Sequence, residues 1–307
     1  MEITGPATVD GLVADAAAAG YEVTVRLVRD WTQAGLLDRP RKRPAGRGRG
    51  SSPALYPENQ RKLLLTLLSK RPGNGIKSLA RIPVGIWMYW GDEYVPLRQA
   101  RRALLTFAGD PRSSLHRAEE TARVMLGHLD NPTATRAARR ELRTVLTDIA
   151  YTGDLDVERL ERALFDVFEP GSRLLRRAVG HPDAPMMVES VIGVIQARLT
   201  AVDLLHRDKV SEAAFYQARY AHLMAYAEYA AHLQPRFASS APLQAPDMYE
   251  PITAEKALND CCLNLLTTIG LEAMYPERAA QLRTGVSPPR ERSVPPAARD
   301  AIMRVRR

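Results

Sequence analysis

Arg26, Arg29 and Gln33 recur at the three- and four-residue intervals that put side chains on one face of a helix. Two guanidiniums and a carboxamide are the groups that reach base edges in a major groove. Arg bonds guanine O6 and N7, and Gln bonds adenine N6 and N7. Just downstream, Arg39, Arg41, Lys42, Arg43, Arg47 and Arg49 place six positive charges with no carboxylate among them. Gly46, Gly48 and Gly50 let that backbone approach a surface closely, while Pro40 and Pro44 keep it extended. Such a segment repels itself when free and gains by neutralising phosphates or entering a narrow minor groove. The competing reading is a solvated helix face followed by a solvated basic run.

Those groups need elements to hold them. Residues 9–20, VDGLVADAAAAG, read as a short helix ended by Gly20. After the connection YEVT, Thr24 is a good N-cap for a second helix and Gly35 a good stop. On a helical wheel Val25, Leu27, Val28, Trp31 and Ala34 fall on one half, and Arg26, Arg29, Asp30 and Gln33 on the other. One face is built for burial and the opposite face for polar contact. Residues 54–70, ALYPENQRKLLLTLLSK, predict a leucine-rich third helix that packs beneath the first two. Two helices joined by about four residues form the layout of a helix-turn-helix.

The stretch TVRLVRDWTQAGLL resembles the second helix of the MerR-type winged helix-turn-helix regulators. Thr24, Val25, Arg26, Val28, Arg29, Trp31, Gly35, Leu36 and Leu37 carry the match, and Tyr56 in LYPENQRKLLLTL matches the aromatic after the wing. Asp30 stands where that family has an aromatic residue, and the basic wing is longer than usual. The resemblance covers roughly residues 8–71. It implies Arg26 and Arg29 in or beside the major groove, and the wing arginines on phosphates or the minor groove. The expected DNA contacts are therefore Thr24, Arg26, Arg29, Asp30, Gln33, Arg39, Arg41, Lys42, Arg43, Arg47, Arg49 and Tyr56, with recognition helix 24–35 and wing 38–52.

Charge is distributed to match. Residues 1–107 hold 17 Lys and Arg against 9 Asp and Glu, so they carry the whole net charge of +8 of the 307-residue chain. A polyanion-binding module on a neutral body follows. Arg outnumbers Lys 37 to 6, a coding bias that makes Arg abundance alone a weak sign of phosphate binding. No apolar run approaches the ~18 residues of a membrane span, and the first residues lack a secretion signal. The two cysteines, Cys261 and Cys262, are adjacent and read as reduced thiols in a cytosolic helix.

The expected fold is mainly α: a winged helix-turn-helix over 1–72, an aromatic and basic connector over 73–108, an all-α dimerisation or sensing domain over 109–283, and a basic flexible tail over 284–307. The connector's IPVGIWMYWGDEYVP reads as a strand or an irregular packing segment bracketed by Pro83 and Pro96, or as an exposed partner patch. Arg98, Arg101 and Arg102 share a side that either extends the basic surface or is merely solvated. Everything from residue 110 reads as helical, with helices over 113–129, 132–150, 156–168, 172–179, 185–207, 210–233, 253–271 and 276–283. The best histidine cluster, His222, Glu228 and His232, lacks a second carboxylate–histidine pair, so a structural role is expected. No phosphate-loop, nucleophile-elbow, zinc-protease or dinucleotide motif is found, and no enzyme, metal or cofactor is expected.

The functional expectation is a cytoplasmic, nucleoid-associated bacterial regulator that binds double-stranded DNA as a homodimer. A small-molecule or protein effector on the helical body is possible, and a membrane partner is not expected. The same residues also suit an accessory protein of a mobile element, of excisionase, partition or replication type, or a helical interaction scaffold that docks on polyanions.

Overall fold

A computed structural model describes residues 3–44, 51–110, 114–129, 134–168, 178–181, 184–224 and 254–283, and these are mainly α-helical. The N-terminal elements are α1 (Val9–Ala18), α2 (Val25–Gln33), β1 (Arg41–Pro44), β2 (Ser51–Leu55) and α3 (Glu58–Lys70). Then come α4 (Ile76–Trp90), α5 (Leu97–Ala108), α6 (Leu115–Leu129), α7 (Arg136–Thr152) and α8 (Val157–Phe168). A short pair, β3 (Ala178–His181) and β4 (Ala184–Met187), precedes α9 (Val188–His206), a helix α10 over residues 212–224, α11 (Ala254–Met274) and α12 (Pro276–Arg283).

Local chemistry explains the first elements. The Thr8 hydroxyl accepts from the Gly11 N–H at 3.3 Å and starts α1. Thr24 does the same for α2 by accepting from Leu27 at 3.2 Å. Gly35 follows α2 at φ +77°, and a Cβ there would overlap the backbone of Ala103 on α5. Glycine is therefore required at that position twice over, by the left-handed backbone and by the close approach. Arg61 on α3 ties the N-terminal segment together. It forks onto Asp15 of α1 at 2.7 and 2.8 Å and donates to the carbonyls of Thr4 and Gly5.

Two hydrophobic cores share one helix. The larger joins α1–α5 to α10, α11 and the C-terminal half of α9, where Ala201 and Leu205 are buried. The smaller is made by α6, α7, α8 and the N-terminal half of α9, from Val188 to Ile195. The expected connector is thus part of the larger core.

Two elements depart from expectation. Residues 76–90 form a helix, not a strand or irregular segment, and the helix runs through Pro83. Proline removes one N–H and crowds the carbonyl four residues back. Tertiary packing offsets that cost, because Leu79, Ala80, Val84, Trp87, Met88 and Tyr89 are all buried. A helix that is apolar nearly all round belongs in a core and shows no amphipathic stripe in its sequence. The second departure is the β3–β4 hairpin, with His181 paired to Ala184, inside a region expected to be wholly helical. Pro182 and Asp183, turn formers by type, separate its strands.

Candidate nucleic-acid interface

The α2 helix divides as its periodicity predicts. Val28 is fully buried and Trp31 is 4% exposed, while Arg26, Arg29, Asp30 and Gln33 are exposed. Arg26 lies 3.8 Å from Asp30 one turn on, with its side chain 91% exposed. So exposed a pair contributes little and leaves the guanidinium available to a ligand. Thr24 is exposed at the N-cap.

After α2 in the chain, β1 and β2 pair as an antiparallel ribbon, with Arg41 opposite Leu55, Arg43 opposite Ser52, and an irregularity between Arg41 and Arg43. Arg39, Arg41 and Lys42 are exposed. Arg43 lies within β1, and Arg47 and Arg49 fall outside the described residues.

Tyr56 must be removed from the contact set. It is 3% exposed, and its hydroxyl lies 3.0 Å from the Thr32 hydroxyl, which in turn donates to the Val28 carbonyl at 2.8 Å. Its backbone pairs with Ala7. The ring fills the core under α2 and anchors the helix from below, so it does not face a ligand.

The residues that sequence reasoning missed sit where α2 passes into the ribbon. Asp38 is 3% exposed, and it is the only carboxylate between residues 31 and 57. Its N–H donates to Gln60 Oε1 at 2.8 Å; Gln60 Nε2 donates to Gln99 Oε1 at 2.9 Å, and Gln99 Nε2 to the Leu36 carbonyl at 3.0 Å. The Asp38 carboxylate accepts from Arg98 Nη2 at 2.6 Å and Arg102 Nη2 at 3.3 Å. Thr106 adds a bond to the Ala34 carbonyl. Burial alone would raise the Asp38 carboxyl. The hydrogen bond from Arg98, the Arg39 backbone N–H and Arg102 outweigh burial and hold the carboxyl below its usual range. The segment that leaves α2 is thereby tied to α3 and α5 at one point by buried polar bonds.

This clamp also decides the role of the α5 arginines, which do not extend a free basic surface. Arg98 and Arg102 are committed to Asp38, and Arg101 pairs with Asp208 at 2.8 Å while lying over the Phe215 ring. The signal in the sequence was the isolated Asp38 in an otherwise basic stretch.

The histidine cluster resolves differently. Glu228 and His232 lie outside the described residues, whereas His222 is buried against α4 and α11. Its Nε2 is 3.1 Å from the Tyr89 hydroxyl and 3.6 Å from Cys261 Sγ, and Asn264 Nδ2 is 3.1 Å from Nδ1. Burial pushes His222 down to about 4 and the Cys261 thiol up to about 12. A neutral imidazole beside a protonated thiol is packing chemistry and supplies no nucleophile.

A pH prediction arises here. His222 binds its proton less readily when folded than at its ordinary 6.5, so its contribution is complete above pH 6.5 and is lost as pH falls toward 4. The loss across that window should be on the order of 3 kcal/mol. Denaturant titrations of wild type and His222→Gln at stepped pH check it: the variant should show a flatter pH dependence in that window, and equal slopes would refute the assignment.

Among the described residues no group of three or more His, Cys, Asp or Glu could hold a metal, and no helix is long and apolar enough to cross a membrane. No protein family, curated protein or solved structure compared with the chain matches it.

Proposed function

We propose that the chain is a sequence-specific double-stranded DNA-binding regulator that works as a homodimer. In this reading α1, α2, the β1–β2 ribbon and α3 act as a winged helix-turn-helix. The α2 face enters the major groove, and the ribbon lies along the backbone or minor groove. The observation that carries it is the exposed Arg26–Arg29–Gln33 face on a helix anchored from behind by Val28 and Trp31, followed in the chain by exposed Arg39 and by a ribbon whose Arg41 and Lys42 are exposed. Groove contacts specify sequence, and phosphate contacts fix register. The helical body then dimerises and receives any effector.

Selection of bound sites from random duplexes tests the proposal. A recovered motif with twofold symmetry is the expected result, because a twofold dimer requires two half-sites. Arg26→Ala and Arg29→Ala should each cost about 1–3 kcal/mol of discrimination, a loss of preference of roughly 5- to 150-fold. Competition binding between the selected duplex and a scrambled one measures this. No recoverable motif, or unchanged preference in both variants, would sink the proposal.

A further inference from the structure

We infer that the N-terminal half of α7 is a second, sequence-independent contact for the phosphate backbone of duplex DNA. The inference rests on the DNA-binding reading above, and uses residues remote in sequence from α2 and the ribbon. Arg136, Arg140 and Arg143 are exposed, and at 100° per residue they lie within an arc of about 60°. Among the described residues, no ion pair or hydrogen bond engages their guanidiniums. The carboxylates on the same helix do not neutralise them. Arg159 of α8 holds both, reaching Glu141 Oε1 at 3.3 Å and Asp148 Oδ2 at 2.8 Å.

Helix energetics disfavour this arrangement. Arg136 and Arg140 are like charges one turn apart, and Arg136 sits in the first turn, at the positive end of the helix dipole. An anionic partner would reverse both penalties. The chemistry of the face indicates which anion. Thr147 continues the same arc, and the exposed Tyr151 lies one turn beyond it at the far end of the helix, so the stretch from Arg136 to Arg143 itself has no apolar anchor of the kind a protein partner buries at its centre. A phosphate backbone needs none. From Arg136 to Arg143 the helix rises about 10 Å, over which one DNA strand carries about three phosphates.

The experiment measures affinity for a duplex without a preferred site, against salt concentration, for wild type and for Arg136→Gln/Arg140→Gln/Arg143→Gln. All three side chains are exposed, so the melting temperature should hold or rise. The slope of log affinity against log salt should become shallower by up to about 2.7, which shrinks the affinity ratio between 50 and 200 mM salt by about 40-fold. An unchanged slope overturns the inference. A ribbon-charge variant run alongside separates the two readings. If it loses slope while the α7 variant does not, only the α7 contact is refuted. If the wild-type chain has no salt-dependent affinity for duplex, both readings fail. Binding through α7 to polyglutamate or anionic vesicles, with none to duplex, also overturns the inference.

Discussion

Asp38→Ala is expected to lower the unfolding free energy by about 3 kcal/mol, the lower end of the range for removing one partner of a buried ion pair. The lower end applies because the two arginines are not equivalent. The Arg98 side chain is 59% exposed and can rehydrate, so its loss is screened by solvent. Arg102 is only 20% exposed at the side chain and would be left charged in a poorly hydrated site. The ranking follows: Asp38→Ala should cost most, Arg102→Ala less, and Arg98→Ala least. Denaturant melts of the three variants check the order. Equal costs for the two arginine variants would mean that the clamp is a surface pair and fixes nothing.

A second consequence concerns pH. The folded Asp38 carboxyl is held below its ordinary value of 3.8, so its contribution is present above that value and is lost as pH falls through the folded one. That window lies below the one assigned to His222, and the two titrations separate in a single pH series.

The contrast between α2 and the clamp shows what the sequence makes legible. Thr24, Gly35 and the split between Val28 and Trp31 on one side and Arg26, Arg29 and Gln33 on the other are local signals. Each acts within one or two helical turns, so periodicity and capping expose them. Asp38 is different, because its partners Gln60, Arg98 and Arg102 lie 22, 60 and 64 residues away. No window-based pattern links them, and a lone acid in a basic stretch reads as a loop residue. The α4 helix was hidden for another reason. Pro83 and continuous apolar residues erase the period of 3.6, and only the surrounding helices reveal why the segment is buried. Only the family resemblance points Tyr56 at DNA, whereas Thr32, one turn after Val28 on the buried side of α2, gives its hydroxyl a partner inside the core.

On the proposed DNA-binding reading, neutralising the ribbon should produce the largest change in binding. Arg39, Arg41 and Lys42 are exposed, and Arg43 shares β1 with two of them. Replacing these four with Gln should make the salt slope shallower by up to about 3.6, at about 0.9 per phosphate neutralised. The remaining affinity at moderate salt should fall by orders of magnitude for selected and scrambled duplexes alike, because phosphate contacts carry no sequence information. Discrimination should therefore survive in the ribbon variant and be lost in Arg26→Ala and Arg29→Ala. Stability should not change. The bond from this segment to Asp38 comes from the Arg39 backbone N–H, which a side-chain substitution leaves in place. Anisotropy titrations at several salt concentrations, with both duplexes, separate the two effects. If the ribbon variant lost preference but kept its slope, the roles would be exchanged: the ribbon would read bases and α2 would hold the backbone.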